Sequence, residues 1–205
     1  MKQNDIIKQL DVAFKDRATK PSDCISFENE KSFFIDDNES IGFCVIQKGN
    51  EEHLDTSRLF RIINSQNENI ALWAVDGCFI LKGKSPEHCD CIIFNNKDFC
   101  FAEFKFNSTS TNLQTIKENR EKAINQLRSM ILMIEHRFKK MNFNYLGYNL
   151  EAYLCTPETY PSKNTAVSDF AVEFVENYGV RLYEENKKNF TIPQHNEKQY
   201  TAITG

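Results

Sequence analysis

The residues Phe99-Cys100-Phe101-Ala102-Glu103-Phe104-Lys105-Phe106 set two opposite charges into an otherwise apolar run at the middle of the chain. Side chains of a strand alternate between faces, so Glu103 and Lys105 share one face while Ala102, Phe104 and Phe106 share the other. Charges flanked by so many apolar residues belong inside a sheet, where they are rarely found unless paired or bound to a metal. Just upstream, residues 89–94 form a second apolar run, and Asn95-Asn96-Lys97-Asp98 reads as a polar hairpin turn between the two. Asp90 opens that earlier strand, and the hairpin brings it beside Glu103.

Working outward, residues 70–82 are rich in β-formers and contain an Asp76-Gly77 pair that marks a bend. The three strands predict an antiparallel meander. Ahead of it, Leu59, Phe60, Ile62 and Ile63 predict a helix over 56–65, with Asp55 or Thr56 as its N-cap. After it, Leu113, Ile116, Ala123, Ile124, Leu127, Ile131, Ile134 and Phe138 recur at the three-and-four spacing of one buried helix face, which predicts a long helix over 112–140. A strand over 145–155, a helix over 166–177 stopped at Tyr178-Gly179, and a strand over 180–183 follow. From residue 55 the order is α-β-β-β-α-β-α-β. That predicts an α/β (α+β) fold with a mixed central sheet and helices on both faces. Residues 1–50, with a helix over 1–16 and short strands at 32–36 and 42–47, are expected to be an N-terminal elaboration of the same domain. The core is expected over 51–190 and a flexible tail over 191–205.

A chain of 205 residues suits one domain, and its 17 Phe can fill a sizeable core. No apolar stretch is long enough to span a membrane, and the N-terminal residues lack a signal peptide's apolar run. Seven cysteines are an odd number for a disulfide framework, so free thiols in a reducing cytoplasm are expected. The net charge of −4 argues against nucleic-acid binding over the whole surface. Residues 105–140, however, hold eight basic side chains against three acidic ones, a local stripe of the kind phosphate contacts need. An ordinary solvated helix face with i,i+4 pairs is the plainer account of the same residues.

Two carboxylates and a lysine converging on one patch suit a hard divalent cation and an anionic substrate. Mg²⁺ takes oxygen ligands, uses one or two carboxylates and keeps several waters. It can polarise a phosphoryl oxygen and lower the pKa of a bound water, while a nearby ammonium offsets developing charge.

Asp90, twelve intervening residues, then Glu103-Phe104-Lys105 resembles the motif of the PD-(D/E)xK nuclease superfamily, and the α-β-β-β-α-β order looks like its restriction-endonuclease-like core. The resemblance covers about residues 55–185, with Cys89 where many members have proline. It implies that Asp90 and Glu103 ligate Mg²⁺ (Mn²⁺ substituting) with help from the Phe104 carbonyl, and that Lys105 is catalytic. It also implies that Gln126 on the following helix joins the site, with Glu52 as a weaker candidate for a first-helix acid. The implied activity is hydrolysis of phosphodiester bonds in DNA, endonucleolytic in preference to exonucleolytic, with RNA as the other possible substrate. A single domain of this size is expected to act as a homodimer or with a larger partner protein. The competing expectation is a catalytically inert module of the same fold that binds nucleic acid or a partner protein.

Each of these residues also has a plainer account. Glu103 and Lys105 can form an ion pair on a half-exposed sheet, with Asp90 only a turn residue. Asp76 is the alternative first acid of the motif. His88-Cys89-Asp90-Cys91 contains only C-x-C, short of the usual zinc spacing, so its cysteines are expected in the core. Trp73 and the phenylalanines are expected in the core as well. His53, His136 and His195 accompany no nucleophile, which argues against a Ser or Cys hydrolase.

Overall fold

The computed structural model describes residues 3–49, 54–77, 87–106, 110–157 and 165–190. In chain order the elements are α1 (Gln3–Ala13), β1 (Ile25–Glu28), β2 (Ser32–Asn38), β3 (Phe43–Gln47), β4 (Phe60–Ile63), β5 (Ile70–Ala74), β6 (Cys91–Phe94), β7 (Asp98–Phe104), α2 (Leu113–Lys140), β8 (Asn149–Cys155), α3 (Thr165–Tyr178), β9 (Arg181–Tyr183) and β10 (Lys187–Asn189).

The three apolar runs at the middle of the sequence form the expected meander. β5 pairs antiparallel with β6, and β6 with β7 in the register Cys91↔Ala102 to Phe94↔Phe99. The turn between β6 and β7 is closed by its own sequence: the Asn95 side-chain oxygen accepts the N–H groups of Lys97 (2.8 Å) and Asp98 (2.7 Å). Helix α2 then carries the chain back, so that β8 lies parallel to β7, as a crossover allows. Asn112 caps α2 by accepting from the N–H groups of Gln114 and Thr115, satisfying donors that a helix start leaves open. With β1 on β5 and β9 on β8, the sheet order is β1-β5-β6-β7-β8-β9.

Strand parity divides the core in two. Phe99 and Phe101 of β7, with Ile92 and Phe94 of β6, face Ile6 and Leu10 of α1, Ile124, Leu127 and Phe138 of α2, and Phe174 of α3. Cys100, Ala102 and Phe104 face the other way, with Cys91 and Ile93, onto Phe33, Ile35, Phe60 and Ile62. Each large apolar side chain so buried stabilises the fold by roughly 1.5–3 kcal/mol relative to exposure, which makes both faces essential.

The second face is covered by strands, which corrects the expectation of helices on both faces. A four-stranded sheet of order β10-β4-β2-β3 lies there, so the molecule is a helical layer, a six-stranded sheet and a four-stranded sheet. The fold is nonetheless mixed α+β, as the sequence predicts. The helix expected over 56–65 is also corrected: a 3₁₀ turn occupies Thr56–Arg58, and β4 follows. Phe60 and Ile62 are buried while Arg61 and Ile63 are half-buried, so the period is two and not 3.6. β5 ends at Ala74, and Asp76-Gly77 lies in a turn, earlier than the strand expected over 70–82.

Residues 3–49 supply α1, β1 and two strands of the second sheet, and so contribute to both cores. A buried polar group ties the sheets together: Lys188 of β10 donates to Glu151 of β8 and Asp98 of β7, and Tyr153 also donates to Glu151. Cys44, Cys89, Cys91, Cys100 and Cys155 are buried free thiols, whereas Cys24 is disulfide-bonded, a departure from the all-thiol expectation. No described helix is long and apolar enough to cross a membrane. The expected tail over 191–205 and the candidate Glu52 lie outside the described residues.

Candidate active site

Asp90, Glu103, Lys105 and Gln126 meet where β6 begins and β7 ends. The register Cys91↔Ala102 runs outward toward Asp90 and Glu103, and Asp90 is held there at both ends. Its carbonyl accepts the N–H of Val75 at 3.0 Å, and its Oδ2 accepts the N–H of Phe104 at 2.6 Å. The N–H of Lys105 reaches the Cys155 carbonyl at 2.7 Å, prolonging the β7–β8 pairing and keeping Lys105 on the face of Glu103. There Lys105 Nζ donates to Glu103 Oε1 and, at 3.1 Å, to Gln126 Oε1. Gln126 projects from α2 beside the buried Ala123 and Leu127, and its Nε2 donates to the His88 carbonyl at 3.2 Å.

Burial and crowding of like charges govern the electrostatics. Glu103 is fully buried, which pushes its pKa up to about 7 against the opposing pull of Lys105, with Asp76 and Asp37 adding to the rise. Asp90 is raised well above the ordinary carboxylate range by burial and then by the charge of Glu103, while the Phe104 N–H opposes. Glu103 Oε2 is buried and has no hydrogen-bond partner among the described residues. An unpartnered carboxylate oxygen inside a protein costs free energy until a proton or a cation reaches it.

Among the described residues no group of three or more His, Cys, Asp or Glu side chains stands ready to hold a metal ion. The donors that do converge, Asp90 and the free oxygen of Glu103, fit a hard cation that uses two carboxylates and keeps its waters. At Phe104, the third expected ligand, it is the N–H that is engaged, by Asp90. Among the described residues zinc finds no support: Cys89 lies in the helix-side core and Cys91 in the core between the sheets. Burial pushes the Cys89 thiol well above its ordinary value and that of Cys91 up to about 12, as expected of cysteines that fill a core.

Two further side chains stand at the site: His88, which the sequence offered only within a zinc-like cluster, and Asp37, which it did not offer at all. His88 Nε2 lies 2.5 Å from Asp76 Oδ1, and Asp76, the alternative motif acid, is near enough that its charge helps to raise both Asp90 and Glu103. Asp37 of β2, raised by burial and then by Asp76, adds a further acid from the second sheet. His88 adjoins the motif and was open to inspection; Asp37 gives no local signal, because β2 reaches the site only through sheet packing.

The basic stripe on α2 is largely committed to partners. Arg120 donates twice to Glu184 (2.8 and 3.0 Å) with both side chains 6% exposed. Arg128 pairs with Glu173, Arg137 with Asp16, Lys117 with Glu121 and Lys139 with Glu135. Lys122 and Lys140 are exposed and make no ion pair among the described residues.

Comparison with protein-family models, curated proteins and solved structures finds no match for this chain. The resemblance to the PD-(D/E)xK superfamily therefore rests on the residues themselves.

Proposed function

We propose that the chain is a Mg²⁺-dependent nuclease acting on DNA, with Asp90 and Glu103 holding the cation, Lys105 catalytic and Gln126 supporting it. The observation that carries this reading is the convergence of four residues, from the start of β6, the end of β7 and the middle of α2, around a buried carboxylate oxygen that has no partner among the described residues. When bound, the dication would supply Lewis acidity to a phosphoryl oxygen and a bound water of lowered pKa. Lys105 holds an ammonium beside that position, where it offsets negative charge developing on a phosphorane. Gln126 keeps the ammonium from swinging away. Asp90, tied to the Phe104 N–H, fixes the end of β7 on which Glu103 and Lys105 are mounted.

The test is a cleavage assay on duplex DNA, single-stranded DNA and RNA with Mg²⁺ or Mn²⁺, alongside binding in Ca²⁺. Metal-dependent cleavage that is lost in Glu103→Gln supports the reading; binding without cleavage under either ion replaces it with the inert module. The inert alternative draws support from Glu103 being already paired with Lys105 and from the want of a third described ligand. A cytoplasmic location and a homodimer or larger partner belong to the same proposal. The five buried free thiols agree with the location, and the Cys24 disulfide is the observation against it.

A further inference from the structure

A run of polar contacts, passing through the side chain and backbone of His88, joins Asp76, on the turn after β5, to the Glu103–Lys105 pair. Asp76 Oδ1 meets His88 Nε2 at 2.5 Å, the His88 carbonyl accepts from Gln126 Nε2 at 3.2 Å, and Gln126 Oε1 accepts from Lys105 Nζ at 3.1 Å. A carbonyl can only accept, so it takes the amide's NH₂ and leaves the amide oxygen facing the ammonium. The orientation of Gln126 is thus set by where the His88 backbone stands. The far end of the run is itself fixed. Val75 N–H bonds the Asp90 carbonyl, and Gly77 packs so closely on β3 that a Cβ there would lie 2.4 Å from Phe43 Cβ. The turn carrying Asp76 is therefore anchored to both sheets, while Asp76 itself is over a third exposed.

We propose that Asp76 is a positioning residue: by holding the His88 imidazole it fixes the segment before β6, so that the His88 carbonyl orients Gln126 and Gln126 orients Lys105. Its consequence for catalysis rests on the nuclease reading above; the positioning itself does not. Residues that orient an active-site group without touching the reaction are worth about tenfold or more when removed.

The experiment uses the full chain with the substitutions Asp76→Ala, Asp76→Asn and Gln126→Ala. Asparagine retains an oxygen to accept from the Nε2–H, so Asp76→Asn serves as the rescue. The Gln126 side-chain NH₂ resonance, assigned by its loss in Gln126→Ala, should shift and exchange faster with solvent in Asp76→Ala and stay in place in Asp76→Asn. In cleavage assays Asp76→Ala should lower kcat about tenfold with KM for DNA unchanged. Combined with Gln126→Ala it should cost nothing further, because both act through one chain of contacts. A Gln126 amide indifferent to Asp76→Ala overturns the proposal. So does an Asp76→Asn as impaired as Asp76→Ala with a raised Mg²⁺ requirement, which makes Asp76 a ligand. If the wild type cuts no nucleic acid while the amide responds as expected, the nuclease reading fails and the positioning role stands.

Discussion

Asp90 Oδ2 accepts the backbone N–H of Phe104 at 2.6 Å, so an acid of the candidate metal site is also the pin between the start of β6 and the end of β7. The two roles separate by substitution. Asp90→Asn keeps an acceptor for the N–H and removes a charge that burial and Glu103 both oppose. Its stability should match or exceed the wild type. Asp90→Ala leaves the N–H buried and unpaired and should cost about 1–3 kcal/mol. Thermal or denaturant unfolding without metal measures both. Equal loss in the two variants would show that the charge, not the hydrogen bond, holds the strands. Both variants should lose any Mg²⁺-dependent rise in Tm.

Glu103 gives the fold a pH dependence of definite sign. Its pKa is raised to about 7 from an ordinary value of 4.5, so between these pH values the folded chain binds more protons than the unfolded one. Stability should therefore be greatest at the acid end of that window and fall as pH rises to about 7, with a span of order 3 kcal/mol. Asp90, raised in the same direction, contributes with the same sign. Glu103→Gln should flatten the profile and leave the metal-free fold at pH 7.5 at least as stable as the wild type. Unfolding curves from pH 4.5 to 8 decide this; a marked loss of stability in Glu103→Gln would make the Glu103–Lys105 pair a structural one.

The most visible bases of α2 should act on folding and not on DNA. Arg120 and Glu184 are buried together, and removing one partner of such a pair leaves the other charge uncompensated. Arg120→Ala should cost about 3–5 kcal/mol, seen as a lowered Tm. The exposed Lys122 should behave oppositely, with Lys122→Ala leaving Tm unchanged. An Arg120→Ala protein of wild-type Tm but weakened DNA binding would contradict this division.

Local patterns carried the legible part of this fold. The parity that sets Glu103 and Lys105 on one face, the Asn95 turn and the long period of α2 are each written in neighbouring residues, and each is found in the structure. Leu59-Phe60-Arg61-Ile62-Ile63 is too short and too apolar for periodicity to separate strand from helix, and its partners decided the matter. Those partners are remote: β4 pairs with β2 and, in parallel, with β10, whose Lys187-Lys188-Asn189 gives no strand signal of its own. The same distance hid Asp37, which enters the site from β2. The basic stripe misled for a related reason, since sequence counts charges but does not reveal that Glu184, Glu173 and Asp16 answer three of them.

Lys105 separates chemistry from binding. Its ammonium bonds Glu103 and Gln126 and is 19% exposed, which places it at the edge of the buried carboxylates with access to an incoming phosphate. Loss of one donor aimed at developing charge typically costs a hundredfold to a thousandfold in kcat. Lys105→Ala should therefore lower cleavage of DNA at least about a hundredfold. Its affinity for DNA, measured in Ca²⁺, should fall far less, because one lysine is a single phosphate contact among several. Lys122→Ala should do the reverse if α2 follows the nucleic-acid backbone: weaker binding, a salt slope shallower by about one, and near-normal turnover at saturation. Lys105→Ala also removes a cation that pulls the Glu103 pKa down, so the acid should titrate higher still and stability near neutral pH should drop. Single-turnover cleavage, binding over a range of salt, and unfolding at pH 5 and 8 read these three effects apart. Equal losses of binding and cleavage in Lys105→Ala would reduce Lys105 to a binding residue, and unchanged cleavage would remove it from the site.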